Sequence, residues 1–222
     1  MRKCELHDLG RIGYGAAFEL QRVLVEKRKQ GQVPDQLLFV EHPHVITLGR
    51  NGKLQNLLAS EDVLRRSGIS FFPADRGGDI TYHGPGQLVG YPIFDLREWK
   101  RDVVAYVRTV EQALIDTLAE FGISSEREDG MTGVWVGGRK IAAIGVHISR
   151  WITSHGFALN VTTDLRYFQY IVPCGLTKPV TSMADAGTAP PREELIALVA
   201  KHFSELFQVE IVRPAVRAEE AL

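Results

Sequence analysis

The sequence predicts an α+β fold with mixed sheets flanked by helices, and three observations carry that prediction. Residues 14–30 place Ala17, Leu20 and Leu24 at helical spacing with charges between them, and residues 103–121 do the same through Val107, Val110, Leu114, Ile115 and Leu118. Short apolar runs of strand length recur around these stretches. From Gly133 onward the pattern tightens into glycine-punctuated hairpins. A chain of 222 residues, 45% apolar and 24% charged, is long enough for one substantial core at the upper end of single-domain size. Residues 1–222 are therefore read as one domain, with no internal repeat, low-complexity tract or linker.

Taken in order, residues 2–9 read as a strand whose apolar neighbours give Cys4 a packing role. The helix over residues 14–30 closes at Gly31, a residue suited to the left-handed conformation that ends helices. Residues 37–40 and 45–48 are strand-like on either side of EHPH. There Pro43 disfavours helix, so His42 and His44 belong to a turn and not to an i, i+4 metal pair. Ser60 is placed to cap a short helix over EDVLRRS that Gly68 ends. Residues 88–96 return as a strand, and Gly122 closes the helix over residues 103–121.

Gly137 and Gly138 suit a primed two-residue turn joining GVWV to RKIAAIGVHIS. Strand alternation then assigns Lys140, Ala142, Ile144 and Val146 to one face, and Ala143, Gly145 and His147 to the other. A lysine on an apolar face is either an edge residue whose stem snorkels to water or a lysine held in a pocket, and spacing leaves both open. Residues 154–162 form another strand, in which Gly156 removes a side chain where a ligand can come close. Pro190 and Pro191 precede a last helix over residues 192–207. Pro173 and Gly175 set Cys174 at a rigid, sterically open bend, where a reactive thiol can be presented.

A formal net charge of -1 gives no reason to expect nucleic acid or an anionic membrane as partner. The longest apolar run is far short of a bilayer span and no leader pattern is present, so the reading is a soluble, cytoplasmic protein. The two cysteines, Cys4 and Cys174, are far apart with no CxxC or His-rich spacing, which indicates neither a disulfide framework nor a metal site.

The densest signal is RGGDITYHGPGQLVGYP, residues 76–92, where glycines, a histidine, a glutamine and two tyrosines interrupt ordinary apolar segments. Glycines here let the backbone turn sharply and let a ligand approach the peptide groups; a turn joining two strands is the alternative use of the same residues. This stretch resembles the signature of the lipoyl(octanoyl) transferases, which share the catalytic fold of biotin and lipoate protein ligases. LFVEHPHVITLGR (residues 38–50), GVWVGGRKIAAIGVHISRWITSHGFALNV (residues 133–161) and IVPCGL (residues 171–176) also match, in the family's order, so the resemblance covers most of the chain.

The resemblance implies an acyltransferase that needs no cofactor. It implies octanoyl-acyl carrier protein as donor, and as acceptors the lipoyl domains of 2-oxoacid dehydrogenase complexes and the glycine cleavage H protein. Carried over residue by residue, Cys174 matches the nucleophile that holds the acyl thioester, and Lys140 matches its catalytic partner. A nearby ammonium suits this chemistry, because thiols react as thiolates and an unperturbed cysteine is only slightly ionised near neutrality. The implied substrate wall comprises Arg76, Gly77, Gly78, Asp79, Ile80, Thr81, Tyr82 and His83, then Ala143, Ile144 and Gly145, then Gly156, Phe157 and Ala158. Two other readings are an ATP-dependent lipoate or biotin ligase on the same fold, and a non-catalytic acyl-binding module. The chain lacks a biotin-ligase-like GRGRxG run, and the PCG cysteine favours the transferase.

Overall fold

Two helical surfaces, one on each face of a central sheet, follow from strands that are apolar on both sides. In β2 (Asp35–Glu41), Leu37 and Phe39 face one core while Leu38 and Val40 face the other, so the strand is buried on both faces. The computed structural model describes residues 1–172 and 178–214. Its larger sheet combines β2 with β1 (Arg2–Arg11), β6 (Gln87–Ile93), β7 (Glu126–Glu128), β8 (Met131–Val136), β9 (Arg139–Ser149), β10 (Ile152–Asn160) and β11 (Val209–Val212). The order is β11-β1-β2-β6-β10-β9-β8-β7; the β11-β1-β2 end is parallel and the remainder antiparallel.

Helix α1 (Tyr14–Lys29) lays Ala17, Leu20, Leu24 and Val25 against Leu38, Val40, Val89 and Tyr91 on one face. Helices α3 (Val103–Glu120) and α4 (Arg192–Phe207) cover the other with Val110, Leu114, Val199 and Phe203. Each such side chain contributes about 1.5–3 kcal/mol on full burial, which is why the apolar period fixes the docked face. Asp102 caps α3 by accepting from the Ala105 N–H at 2.9 Å. Ser60 caps the short helix α2 (Glu61–Arg66) as its position predicts. Cys4 is fully buried in the larger core.

A second sheet, β4-β3-β5, is built from β3 (Val45–Leu48), β4 (Ser70–Pro73) and β5 (Ile80–His83). Part of the glycine-rich stretch is thus a strand, paired antiparallel to β3, with the loop proper confined to the residues before and after it. Its polar residues hid the strand because half of it faces a cavity and not a core.

Between β8 and β9 the Gly137–Gly138 turn forms with φ of 54° and 73°, both in the region a primed turn demands. Beyond it the ladder pairs Trp135 with Lys140 but Val134 with Ala142, so Ile141 is an extra residue, a β-bulge. Cross-strand partners share a face, and Val134 and Trp135, being consecutive, point to opposite faces. Lys140 is therefore opposite to Ala142, which corrects the simple alternation. Ile141 and Ala142 both stay in the core, and the bulge turns Lys140 out of it.

Candidate active site

The bulge delivers Lys140 to a cavity of about 400 Å³ between β6, β9 and β10 of the larger sheet and β5 of the smaller one. The loop leading into β5 forms a further wall. Of the residues that the resemblance implies, Lys140, Arg76, Gly77, Gly78, Asp79, Ile80, Thr81, His83, Ala143, Ile144, Gly145, Gly156, Phe157 and Ala158 border this space. Tyr82 does not. Its ring is fully buried on the other side of β5, stacked 5.2 Å from Tyr167, with its hydroxyl 2.8 Å from His44 Nδ1.

The loop is held by its own polar atoms. The Arg76 guanidinium donates to Thr47 O and Thr47 Oγ1, each at 2.8 Å, and to Gly77 O at 3.1 Å. Asp79 accepts from the Ile80 N–H at 2.7 Å, from the Lys53 N–H at 3.1 Å, and from the Asn56 amide. The Gly77 N–H donates to Val146 O at 2.8 Å, and a Cβ on Gly145 would stand 3.0 Å from Gly77 O. That close approach of loop to strand is what the glycine at 145 permits. Gly156 has a different reason from the one its spacing suggested. A Cβ there would lie 2.2 Å from Gly90 O, so the missing side chain admits the neighbouring strand β6 and not a ligand.

Four aromatic residues make the buried end of the cavity: Tyr14, His83, Tyr91 and His155. Gln87 donates its amide N–H to Tyr82 O and Asn160 Oδ1, which leaves its Oε1 to accept from His83 Nδ1–H at 2.8 Å. Burial, aided by the nearby His42 and Arg76, lowers the His83 pKa to about 3, so the ring is neutral with an acceptor lone pair on Nε2. His42 donates from Nδ1 to Ile12 O at 2.8 Å and accepts from the Tyr91 hydroxyl at 2.7 Å, and burial lowers it to about 4. Burial also raises the Tyr14 phenol to about 12. Tyr14, Tyr91 and His155 are absent from the sequence-derived wall. Aromatic residues at helical or strand spacing read as core, and only the tertiary structure turns these toward a cavity.

At the opposite end, Lys140 Nζ donates to Thr132 O at 3.2 Å and lies 4.7 Å above the Trp135 ring. That carbonyl is set by Glu111, a fully buried carboxylate of α3. Glu111 accepts from the Gly133 N–H at 3.0 Å while Arg108 and Arg127 hold its other oxygen at 2.8 and 3.1 Å. Sequence gave no hint of this support. Glu111 lies on an apolar-periodic helix with no motif around it.

Residues 13–204 match the family model of the lipoyl protein ligase A/B catalytic domain. An octanoyltransferase of Solibacter usitatus is 65% identical over 96% of both chains, and one of Koribacter versatilis is 50% identical over 92% of this chain and 84% of its own. The chain belongs to this octanoyltransferase family. Among solved structures, a lipoate-protein ligase A bound with ATP superposes with a TM-score of 0.81 at 18% identity, covering 99% of this chain and 92% of that one. A biotin protein ligase from Aquifex aeolicus reaches 0.54 at 15% identity, covering 94% and 70%. These two likenesses establish the shared fold.

As a member of the octanoyltransferase family the chain is an acyltransferase. Cys174, which the sequence resemblance implies as nucleophile, lies outside the described residues. The described residues on either side of it are tied to the site. The Val172 N–H donates to Asn56 O at 2.8 Å, and the Lys140 backbone brackets Val180 by accepting from Thr181 at 2.9 Å and donating to Pro179 O at 3.0 Å. Among the described residues no cluster of three or more His, Cys, Asp or Glu could hold a metal. No helix among them is long and apolar enough to cross a membrane.

Proposed function

We propose that this protein takes an octanoyl group from octanoyl-acyl carrier protein in the cytoplasm and passes it to a specific lysine of a lipoyl domain, through a thioester on Cys174. The observation that carries the reading is a largely apolar cavity of about 400 Å³ that has the Lys140 ammonium at one end. In the first half-reaction the Cys174 thiolate attacks the donor's thioester carbonyl. The carrier thiolate leaves and takes the proton that Cys174 gave up. In the second, the acceptor amine attacks the acyl-Cys174 carbonyl, the Cys174 thiolate leaves, and the amine proton passes to that thiolate to regenerate the thiol. Lys140 stabilises the thiolate at both stages and relays these protons. Exchange between thioesters is nearly balanced and amide formation runs downhill, so no nucleotide enters the balance.

Intact-mass spectrometry of the protein mixed with octanoyl-carrier and no lipoyl domain tests this. One octanoyl group should be added without ATP or magnesium, be removed by hydroxylamine, map to the Cys174 peptide, and discharge when lipoyl domain is supplied. Cys174→Ala should give no adduct. An adduct that appears only with ATP would instead make the protein a ligase, and octanoate retained only noncovalently would make it a binding module.

A further inference from the structure

We propose that the His155 imidazole is the stop that sets how long an acyl chain the cavity accepts, because it closes the cavity off from a second groove behind it. The inference rests on the acyl-transfer reading for the nature of the ligand and adds what limits its length. The groove, about 490 Å³, runs between α1 and the far ends of β9 and β10, and His155 borders both spaces. Its ring stands between Phe18 on the groove side, 5.6 Å away, and Tyr91 on the cavity side, 6.4 Å away. Nε2–H donates to Asp75 Oδ1 at 2.6 Å, which fixes the ring in that partition.

Register places this stop relative to the chemistry. The proposed wall runs from Ala143, paired with Ala158, to Gly145, paired with Gly156, and the next pair is Val146 with His155. The three steps from Ala143 to Val146 span about 10 Å, the scale of an extended eight-carbon chain whose carbonyl lies level with Ala143, on the side of the cavity nearer Lys140. The backbone at His155 supports a directed role. It has φ +55° within a strand, where a side chain is disfavoured, and its N–H is held by Gln21 Oε1 at 2.8 Å. Left-handed backbone at this point sends the imidazole away from the direction that regular alternation would give it.

The experiment compares octanoate, decanoate, dodecanoate and tetradecanoate, both as carrier thioesters in transfer and as free acids binding in a calorimeter, for the parent and for His155→Gly. Glycine accepts the observed φ without strain and opens the cavity into the groove. The preference for octanoate over dodecanoate should fall by about tenfold or more, the scale on which a pocket rejects added methylenes. His155→Asn, which tolerates the same backbone and is shorter, should give an intermediate profile and serves if the glycine variant does not fold. Phe18→Ala widens the groove but keeps the ring, and should retain the parent's profile. An unchanged ratio in folded His155→Gly and His155→Asn overturns the stop, as does Phe18→Ala relaxing selectivity equally. A parent that binds and transfers no acyl chain overturns the acyl reading itself, an outcome distinct from an unchanged ratio.

Discussion

Acid should destabilise this protein well before most of its carboxylates titrate, because His42 and His83 are buried as neutral imidazoles. Their pKa values fall from an ordinary 6.5 to about 4 and about 3. A group whose folded pKa is depressed contributes stability that is fully present above its unfolded pKa and is lost as pH falls toward the folded value. The window therefore opens at about pH 6.5 and extends to about pH 4 and below. Each pKa unit is worth about 1.4 kcal/mol, so between pH 7.5 and 5.0 each imidazole removes about 2 kcal/mol and the pair about 4 kcal/mol. That is a large part of a typical total of about 5–15 kcal/mol. Geometry adds to the cost, since the two rings are 5.9 Å apart and a proton on His42 Nε2 would abolish its acceptance from Tyr91. Burial also lowers His7, His44 and His155, in the same sense. Urea unfolding at pH 7.5, 6.5 and 5.0 measures the effect, and His83→Gln should roughly halve the loss due to the pair. Stability that stays within about 1 kcal/mol across that range refutes the neutral-pair argument.

Three other outcomes follow from the site. Glu111→Ala strands the Gly133 N–H and releases two partly exposed arginines, for a loss of about 2–4 kcal/mol and a Tm lower by about 5–15 °C; Glu111→Gln should cost less, and both are read by thermal melts. Iodoacetamide should label Cys174 before Cys4, whose thiol is fully buried and pushed up by desolvation, and Lys140→Ala should raise the pH midpoint of Cys174; equal labelling rates or an unmoved midpoint would count against the activated pair. Gly77→Val, whose Cβ meets Val146 O at 3.2 Å, should block acyl loading with modest loss of stability, whereas Gly78→Val, at φ +81°, should also cost about 1–3 kcal/mol of fold stability; melts beside mass spectrometry of the adduct separate the two.

Local chemistry determined much of this protein by itself. Helical spacing located α1 and α3 to within a residue at their ends, because burying an apolar stripe is a property of the sequence's own period, and the Pro190–Pro191 pair marked the start of α4. Turn chemistry located the Gly137–Gly138 hairpin, and the Ser60 cap needed only its neighbours. The glycine-rich motif marked most of one cavity wall. Tertiary structure decided what period cannot encode, namely which strands pair and what lies across a gap. The short edge strands β7 and β11 are defined by their partners and carry little signal of their own. One inserted residue, Ile141, reverses the face of Lys140, and an insertion of that kind leaves no mark in an alternating pattern until the opposing strand is known. Glu111, Tyr14 and His155 join the site through contacts between residues distant in the chain. Each is an unremarkable residue in its own segment, and only packing the sheets with α1, for Tyr14 and His155, and with α3, for Glu111, gives it a neighbour on which to act.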